Sequence, residues 1–221
     1  MLKWDQHLQM NGKVINKVDS TKFLGVHMDS RLTGNDHIFS LTSTIARNVG
    51  VISKLKYILP QPILKTLYQS LIVPHLSYCS IIWSGTSNKN LNRLFILQKR
   101  AIRHIAKTDS RDHTSPLLRI LNLLKLKDLL RVNVACFAHK ALNHILPPSF
   151  TDFFHRNNEV HSYSTRQANH IHHHPWRTNF GHLSLRTRAI NVWNSLPLHF
   201  QRLQSTLLLK RKLIHQSIME Y

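Results

Sequence analysis

Apolar and polar positions change their period several times along the chain. Residues 6–29 read as β structure: Leu8 and Met10 lead into Asn11-Gly12, a strong two-residue hairpin signal, and Val14, Ile15 and Val18 continue beyond it. Phe23-Leu24-Gly25-Val26 makes a further short strand, whose glycine permits close approach of another group to the backbone. From His37 the spacing becomes helical. Ile38, Leu41, Ile45, Val49, Ile52, Leu55 and Leu59 recur every three or four residues, one face of a helix about five to six turns long, and Arg47, Lys54 and Lys56 lie on its other side. Pro60 and Pro62 end that helix and open the next, whose stripe of Leu64, Leu67, Tyr68, Leu71 and Ile72 is kinked or ended by Pro74.

The stretch from Thr66 to Asn88 has no Asp, Glu, Lys or Arg, and the rest of the chain is organised around it. Beyond Pro74, a second apolar cluster of Leu76, Tyr78, Ile81, Ile82 and Trp83 closes on the turn Ser84-Gly85. Gln69, Ser70, His75, Ser77 and Ser80 interrupt the run too often for a membrane span of about 20 apolar residues. A buried helical hairpin is the better reading. It places Tyr68, Tyr78 and Trp83 in the core, where the central helices meet.

Next comes the most basic helix. Leu91, Leu94, Phe95, Ile102 and Ile105 form its apolar side, and Arg93, Arg100, Arg103 and Lys107 recur on another face with no acid between Lys89 and Lys107. Taken alone, such a run fits a solvated face as well as an anion-binding one. Ser115-Pro116 reads as an N-cap with proline at the first helical position, opening a short helix through Leu124. A helix from Asp128 to Ile145 buries Leu130, Val134, Phe137, Ala138, Ala141 and Ile145 and stops at Leu146-Pro147-Pro148. Residues 155–182 have few aliphatics and no period, and read as a loop. Ser184 caps a helix through Trp193 that Leu196-Pro197 terminates. A last amphipathic segment, Ser205 to Met219, sets Leu208, Leu209 and Leu213 beside Lys210, Arg211 and Lys212.

Charge sharpens this picture. There are 30 Lys and Arg against 10 Asp and Glu, a net charge of +20 spread along 221 residues, and such a field attracts polyanions, nucleic acid before an anionic membrane surface. Cys79 and Cys136 sit in apolar segments and are too few for a disulfide framework or a zinc finger, which fits an intracellular, reducing compartment, nucleus or cytoplasm. The N-terminal residues show no secretory leader pattern.

The motifs of nucleotide hydrolysis and ester chemistry are missing. No glycine-rich phosphate loop, Gly-x-Ser-x-Gly turn or His-Glu-x-x-His is present, and no acid neighbours another in sequence, so no carboxylate set for two-metal phosphoryl transfer is evident. His155, His161, His170, His172, His173, His174 and His182 crowd the loop without a cysteine nearby, which favours a solvated loop with adventitious metal affinity over a dedicated metal site. No metal and no cofactor is therefore expected.

Several motifs in order carry a family likeness. Phe23-Leu24-Gly25-Val26 is followed by Asp29, Leu32 and His37-Ile38. Then come Leu67-Tyr68-x-Ser70-Leu71 with Pro74, Leu76, Tyr78 and Trp83, and Leu97-Gln98-Lys99-Arg100-Ala101-Ile102-Arg103. His161-x-Tyr163-x-Thr165-Arg166 and Trp193-Asn194-x-Leu196-Pro197 complete the series. Each is weak alone. Together they resemble the C-terminal part of reverse transcriptases from non-LTR (LINE-type) retrotransposons, with Gly34 in place of a frequent tryptophan and Cys79 in place of a frequent glycine. The resemblance implies a mainly α fold: an end-of-palm β element at 1–30, a thumb-like helical bundle at 31–109, and a helical C-terminal extension at 110–221 that holds the His-rich loop.

It further implies that Phe23, Leu24 and Gly25 correspond to a primer grip and that the helices from Ile38 to Lys107 contact template and primer. Arg93, Lys99, Arg100, Arg103 and Lys107 are then the expected contacts to the backbone of RNA, DNA or an RNA–DNA duplex. The family's catalytic aspartates lie in a palm upstream of this stretch, which is a possible partner. The expectation is thus a non-catalytic fragment of an RNA-directed DNA polymerase that retains sequence-nonspecific nucleic-acid binding without membrane association. The alternative is a structural remnant of a truncated mobile element with no specific binding role.

Overall fold

A computed structural model describes residues 9–162, 166–173 and 175–221; Leu8, Tyr163, Thr165 and His174 of the sequence reading lie outside them. The protein is mainly α with small β elements. Strands β1 (Gln9–Met10) and β2 (Lys13–Val14) pair antiparallel across Asn11-Gly12, whose φ values of 52° and 73° suit a tight hairpin turn. A second ribbon pairs β3 (Ser20–Phe23) with β4 (Val26–Asp29), Phe23 opposite Val26. This corrects the expected Phe23–Val26 strand. Leu24 and Gly25, at φ 45° and 82°, are the turn between two strands, so the ribbon reverses where a strand was expected.

Asp29 turns the chain from the ribbon into helix α1 (Asn35–Leu55). Its carboxylate accepts from the Arg31, Thr33 and Gly34 amides at 3.2, 2.9 and 2.8 Å and from the Thr33 hydroxyl at 3.1 Å. Partial burial pushes its pKa up, but those donors outweigh it and hold the carboxyl below its usual value. The stripe of α1 is buried as spaced, from Ile38 to Ile52. The helix stops at Leu55 rather than Leu59, and a turn closed by Leu59 N–H to Leu55 C=O at 2.9 Å keeps Leu59 against the core.

Helix α2 (Gln61–Leu71) follows, then α3 (Val73–Ser77) and α4 (Ser80–Trp83). Pro74 sits in the first turn of α3, where its missing N–H is tolerated, so the break falls just before it at Ile72. Between α3 and α4 the chain leaves helical geometry at Tyr78, and Cys79 takes φ 47°. That corner overturns part of the expected core. Tyr68 and Trp83 are buried at 1% and 3% exposure, whereas Tyr78 is 55% exposed and Ile82 57%. The reversal at Tyr78-Cys79 swings the tyrosine outward, and no helical or strand period anticipates it.

Helices α5 (Asn88–Ala106), α6 (Thr114–Ile120) and α7 (Leu126–Leu142) complete the central bundle. The predicted Ser115 cap is wrong, because α6 starts two residues earlier, after His113, so that Ser115 lies inside its first turn, and it ends at Ile120 rather than Leu124. Helix α7 begins and ends earlier than expected, leaving Ile145 58% exposed. A 3-10 turn (Pro148–Phe153), α8 (Asn157–Val160), α9 (Asn179–Leu183), α10 (Leu185–Asn194), α11 (Leu198–Gln201) and α12 (Thr206–Met219) form the rest. The described residues between 155 and 182 thus form a loop interrupted by α8 and the start of α9. Ser184 caps α10 as expected by accepting from the Thr187 amide, and Ser205 caps α12 through the Leu208 amide. On α12, Leu209 and Leu213 are buried but Leu208 faces solvent.

Two apolar clusters result. One gathers α1, α2, α5, α6 and the start of α7 around Ile45, Tyr68, Leu94 and Ile102. The other gathers the rest of α7 with α10, α11 and α12 around Ala138, Ile190, Trp193 and Leu209. Helix α7 serves both: Leu126 and Leu130 belong to the first cluster and Val134 to Ala141 to the second, which is why its apolar residues surround much of its circumference. The two halves are also stapled by Arg188. Its guanidinium donates to Ser84 Oγ and Ile81 C=O, both at 2.6 Å, and to Leu183 C=O at 3.0 Å, and burial pulls its pKa down to about 10.

Candidate nucleic-acid interface

Helix α5 owes its position to buried polar residues that hydrophobic spacing does not reveal. Ser87 caps it, accepting from the Asn90 amide. Asn90 is itself buried and its amide nitrogen donates to Asn35 Oδ1 at 2.7 Å and Thr86 Oγ1 at 2.8 Å, tying the start of α5 to the start of α1. Two turns on, buried Gln98 donates to the Tyr68 hydroxyl and the Leu124 carbonyl, both at 2.9 Å, and accepts from the Leu126 amide at 2.8 Å. Burial lifts the Tyr68 hydroxyl to a pKa of about 12 despite that hydrogen bond. Gln98 lies inside the Leu97–Arg103 stretch singled out in the sequence, next to Lys99 and Arg100. Its role in this chain is to hold α2, α5 and α7 together so that the other side of α5 is fixed.

That other side is cationic. At about 100° per residue, Arg93 and Arg100 fall within roughly 20° of each other, and Arg103 lies roughly 60° from Arg100. Arg93, Arg100 and Lys107 are exposed; Ile96, 57% exposed, stands among them. Lys107 leaves the helix as a left-handed C-cap at φ 55°. The other two cations are partly engaged. Lys99 Nζ rests 4.4 Å from the centre of the Phe95 ring, and Arg103 Nε donates to the Asp112 carbonyl at 2.9 Å. The field extends past α5, because the His104 pKa is lowered by burial first and then by the charges of Lys56 and Arg100. Lys56, just beyond α1, therefore belongs to the same positive surface.

Phe23, Leu24 and Gly25 occupy a separate place, the tip of the β3–β4 ribbon. Phe23 and Leu24 are 63% and 72% exposed. The Tyr78 hydroxyl donates to the Leu24 carbonyl at 2.7 Å, and a Cβ on Gly25 would lie 3.4 Å from the Tyr78 ring, so the ribbon tip is latched to the α3–α4 corner. The expected close approach at Gly25 is thereby met, by Tyr78. Among the described residues, no hydrogen bond or ring contact joins this tip to the five α5 cations. Sequence reasoning assigned Tyr78 to the core and missed the latch; its exposed hydroxyl required the corner geometry to be seen.

The Trp193-Asn194-x-Leu196-Pro197 motif also has a physical content. Trp193 and Leu196 are buried in the second cluster, while Asn194 clamps the His-rich loop by accepting from the Ile171 amide and donating to the Ile171 carbonyl, each at 2.9 Å. In that loop the His161 and His172 rings lie 5.2 Å apart and His172 Nδ1 is 3.0 Å from Asn157 Oδ1. Among the described residues, no three His, Cys, Asp or Glu side chains are grouped to hold a metal, and no helix is long and apolar enough to cross a membrane.

Over 133 residues, 58% of its length, the chain is 29% identical to an RNA-directed DNA polymerase from the mobile element jockey of Drosophila melanogaster. Over 143 residues, 62% of its length, it is 25% identical to a probable RNA-directed DNA polymerase from transposon BS of the same species. The protein carries a reverse-transcriptase-like region of the non-LTR retrotransposon kind. These matches span 14% and 16% of the two curated relatives. No family model and no solved structure matches the chain.

Proposed function

We propose that this chain is a nucleic-acid-holding, non-polymerising part of a retrotransposon RNA-directed DNA polymerase. It grips the backbone of RNA, DNA or an RNA–DNA duplex through Arg93, Lys99, Arg100, Arg103 and Lys107, and Phe23-Leu24-Gly25 serve as a primer-grip-like tip. The observation that carries the reading is the exposed, acid-free cationic side of α5, held rigid from behind by Gln98 and Asn90. Phosphate neutralisation of this kind needs no base contacts, so binding is insensitive to sequence and steep in salt. A palm supplied from elsewhere in a longer polymerase is the partner in this reading.

The test is filter binding of a blunt RNA–DNA duplex across a salt series. Arg93→Gln with Arg100→Gln should weaken binding equally for unrelated sequences and reduce the magnitude of the salt slope by about 1.8 units, with helix content unchanged. Parent-like affinity and slope in the double variant would mean a solvated face and would support the alternative of a structural remnant. The non-catalytic part of the reading is tested by primer extension: Mg²⁺-dependent incorporation by this chain alone overturns it.

A further inference from the structure

A second cationic feature lies around the corner from the α5 strip. A cleft of about 520 Å³ opens between the last turns of α5, the 108–113 reversal and the start of α7, and its walls carry Lys99, Arg103, Arg111, Lys125 and Lys127. These residues are far apart in sequence and come together only because the chain doubles back after α5. One acid, Asp112, lines the cleft with them, and it and the neighbouring acids are held by hydrogen bonds from neutral donors. Asp112 Oδ2 accepts from the Asp109 amide at 3.0 Å, Asp109 Oδ1 accepts from the Ser110 hydroxyl at 3.1 Å and the Arg111 amide at 3.3 Å, and Asp128 Oδ2 accepts from the Tyr221 hydroxyl at 2.6 Å. Lys125 Nζ lies 3.9 Å from the Tyr221 ring centre, which fixes where its charge points.

We infer that this cleft is a subsite for an unpaired nucleic-acid strand, taking the phosphates of a few nucleotides. The inference rests on the proposed function and extends it from duplex to single strand. Continuity favours a strand over an acidic peptide. The cleft shares Lys99 and Arg103 with the α5 side, so a backbone lying on α5 runs on into it. Its arginine forks, at Arg103 and Arg111, suit phosphate and carboxylate oxygens alike, so an oligoglutamate control separates the two. Phe95 lines the same wall with the Lys99 ammonium over its ring.

The experiment uses the full chain and three probes: fluorescein-labelled dT12, the blunt RNA–DNA duplex and an oligoglutamate of matching charge. Arg111 and Lys127 are exposed, and neither side chain makes a hydrogen bond among the described residues, so Arg111→Gln with Lys127→Gln should leave the fold intact, checked by circular dichroism. This pair should lose roughly tenfold in affinity for dT12 and about 1.4 units of salt-slope magnitude, while duplex binding changes little. Arg93→Gln with Arg100→Gln should do the reverse. In the parent chain, dT12 should protect Lys127 from acetylation, a readout that needs no variant. If dT12 binds the cleft variant as it binds the parent, or Lys127 stays reactive, the subsite is wrong while duplex binding still stands. If oligoglutamate displaces dT12 at equal charge, the cleft serves an acidic protein instead and the inference falls. If the parent binds neither nucleic acid, the proposed function fails and takes this subsite with it.

Discussion

Val14 in and Ile15 just beyond the first ribbon are the same residue types as Ile45 and Val49 in α1, with opposite fates. The first pair is 51% and 48% exposed, the second 0% and 2%. Composition and propensity do not separate them; what separates them is the number of layers available. A two-stranded ribbon offers two faces and two edges and cannot cover its own side chains, whereas α1 lies against α5 and α2 along its length. The second ribbon is therefore held chiefly by the Tyr78 latch, the Asp29 turn and the contact of β4 with α1. The helical bundle is held by area and by buried polar hubs. The bundle should melt as a unit, and the ribbon tip should open far below that cost.

This contrast can be broken from either side. The largest effect belongs to Trp83, which fills the first cluster and donates its indole N–H to the Tyr78 carbonyl at 2.8 Å. Trp83→Ala should cost about 3–5 kcal/mol, measured as a drop in the urea midpoint. An unchanged midpoint would show that the charge-free stretch is not the core. Gln98→Ala comes next. It strands the Tyr68 hydroxyl, the Leu124 carbonyl and the Leu126 amide, and should cost about 2–3 kcal/mol. A loss below about 0.5 kcal/mol would mean that the hub is dispensable and that apolar area alone sets α5.

Tyr78→Phe sharpens the comparison at the ribbon. Losing one hydrogen bond should cost about 1 kcal/mol locally, seen as faster amide exchange across β3 and β4 with the global midpoint nearly unmoved. A matching fall in the global midpoint would mean that ribbon and bundle unfold together.

The smallest expected effect is one of pH. His37 at the start of α1 accepts the His27 amide on Nδ1 at 3.5 Å, and burial, then the charge of His27, holds its pKa below the ordinary 6.5. The unfolded chain therefore takes up this proton at higher pH than the folded one. The stabilisation is fully present above about 6.5 and fades as pH falls through that value toward the folded pKa. Intrinsic-rate-corrected exchange of the His27 amide should quicken between about pH 7.5 and about pH 5.5; equal protection at both would remove His37 from the ribbon's attachment.

Much of the bundle was legible because helical burial is periodic. The stripes of α1 and α5, the Pro60 boundary, the Ser184 cap and the Asn11-Gly12 hairpin all follow from local steric and hydrogen-bonding rules that act within one turn of the chain. The exposed placement of Arg93 and Arg100 follows the same logic, since a face opposite a buried stripe must meet solvent. The rest of that surface was named only in part: Lys99, Arg103 and Lys107 belong to the sequence reading, whereas the cleft does not. Lys99 and Arg103 are partly committed to Phe95 and Asp112, and Arg111, Lys125 and Lys127 join them only through a chain reversal.

What the sequence determined by itself, then, is the local layer: where the long helices lie, which side of α1 and α5 is greasy, and that the whole carries a large positive charge. Tertiary structure alone decided three things. It turned Leu24 and Gly25 into a ribbon tip under Tyr78, because a left-handed residue at Cys79 redirects the tyrosine. It made Gln98 and Asn90 buried hubs, because polar side chains enter a core only where distant partners satisfy them. It also gathered cations from α5, the 108–113 reversal and α7 around one cleft. Each depends on contacts between residues distant in sequence, about which a local period carries no information.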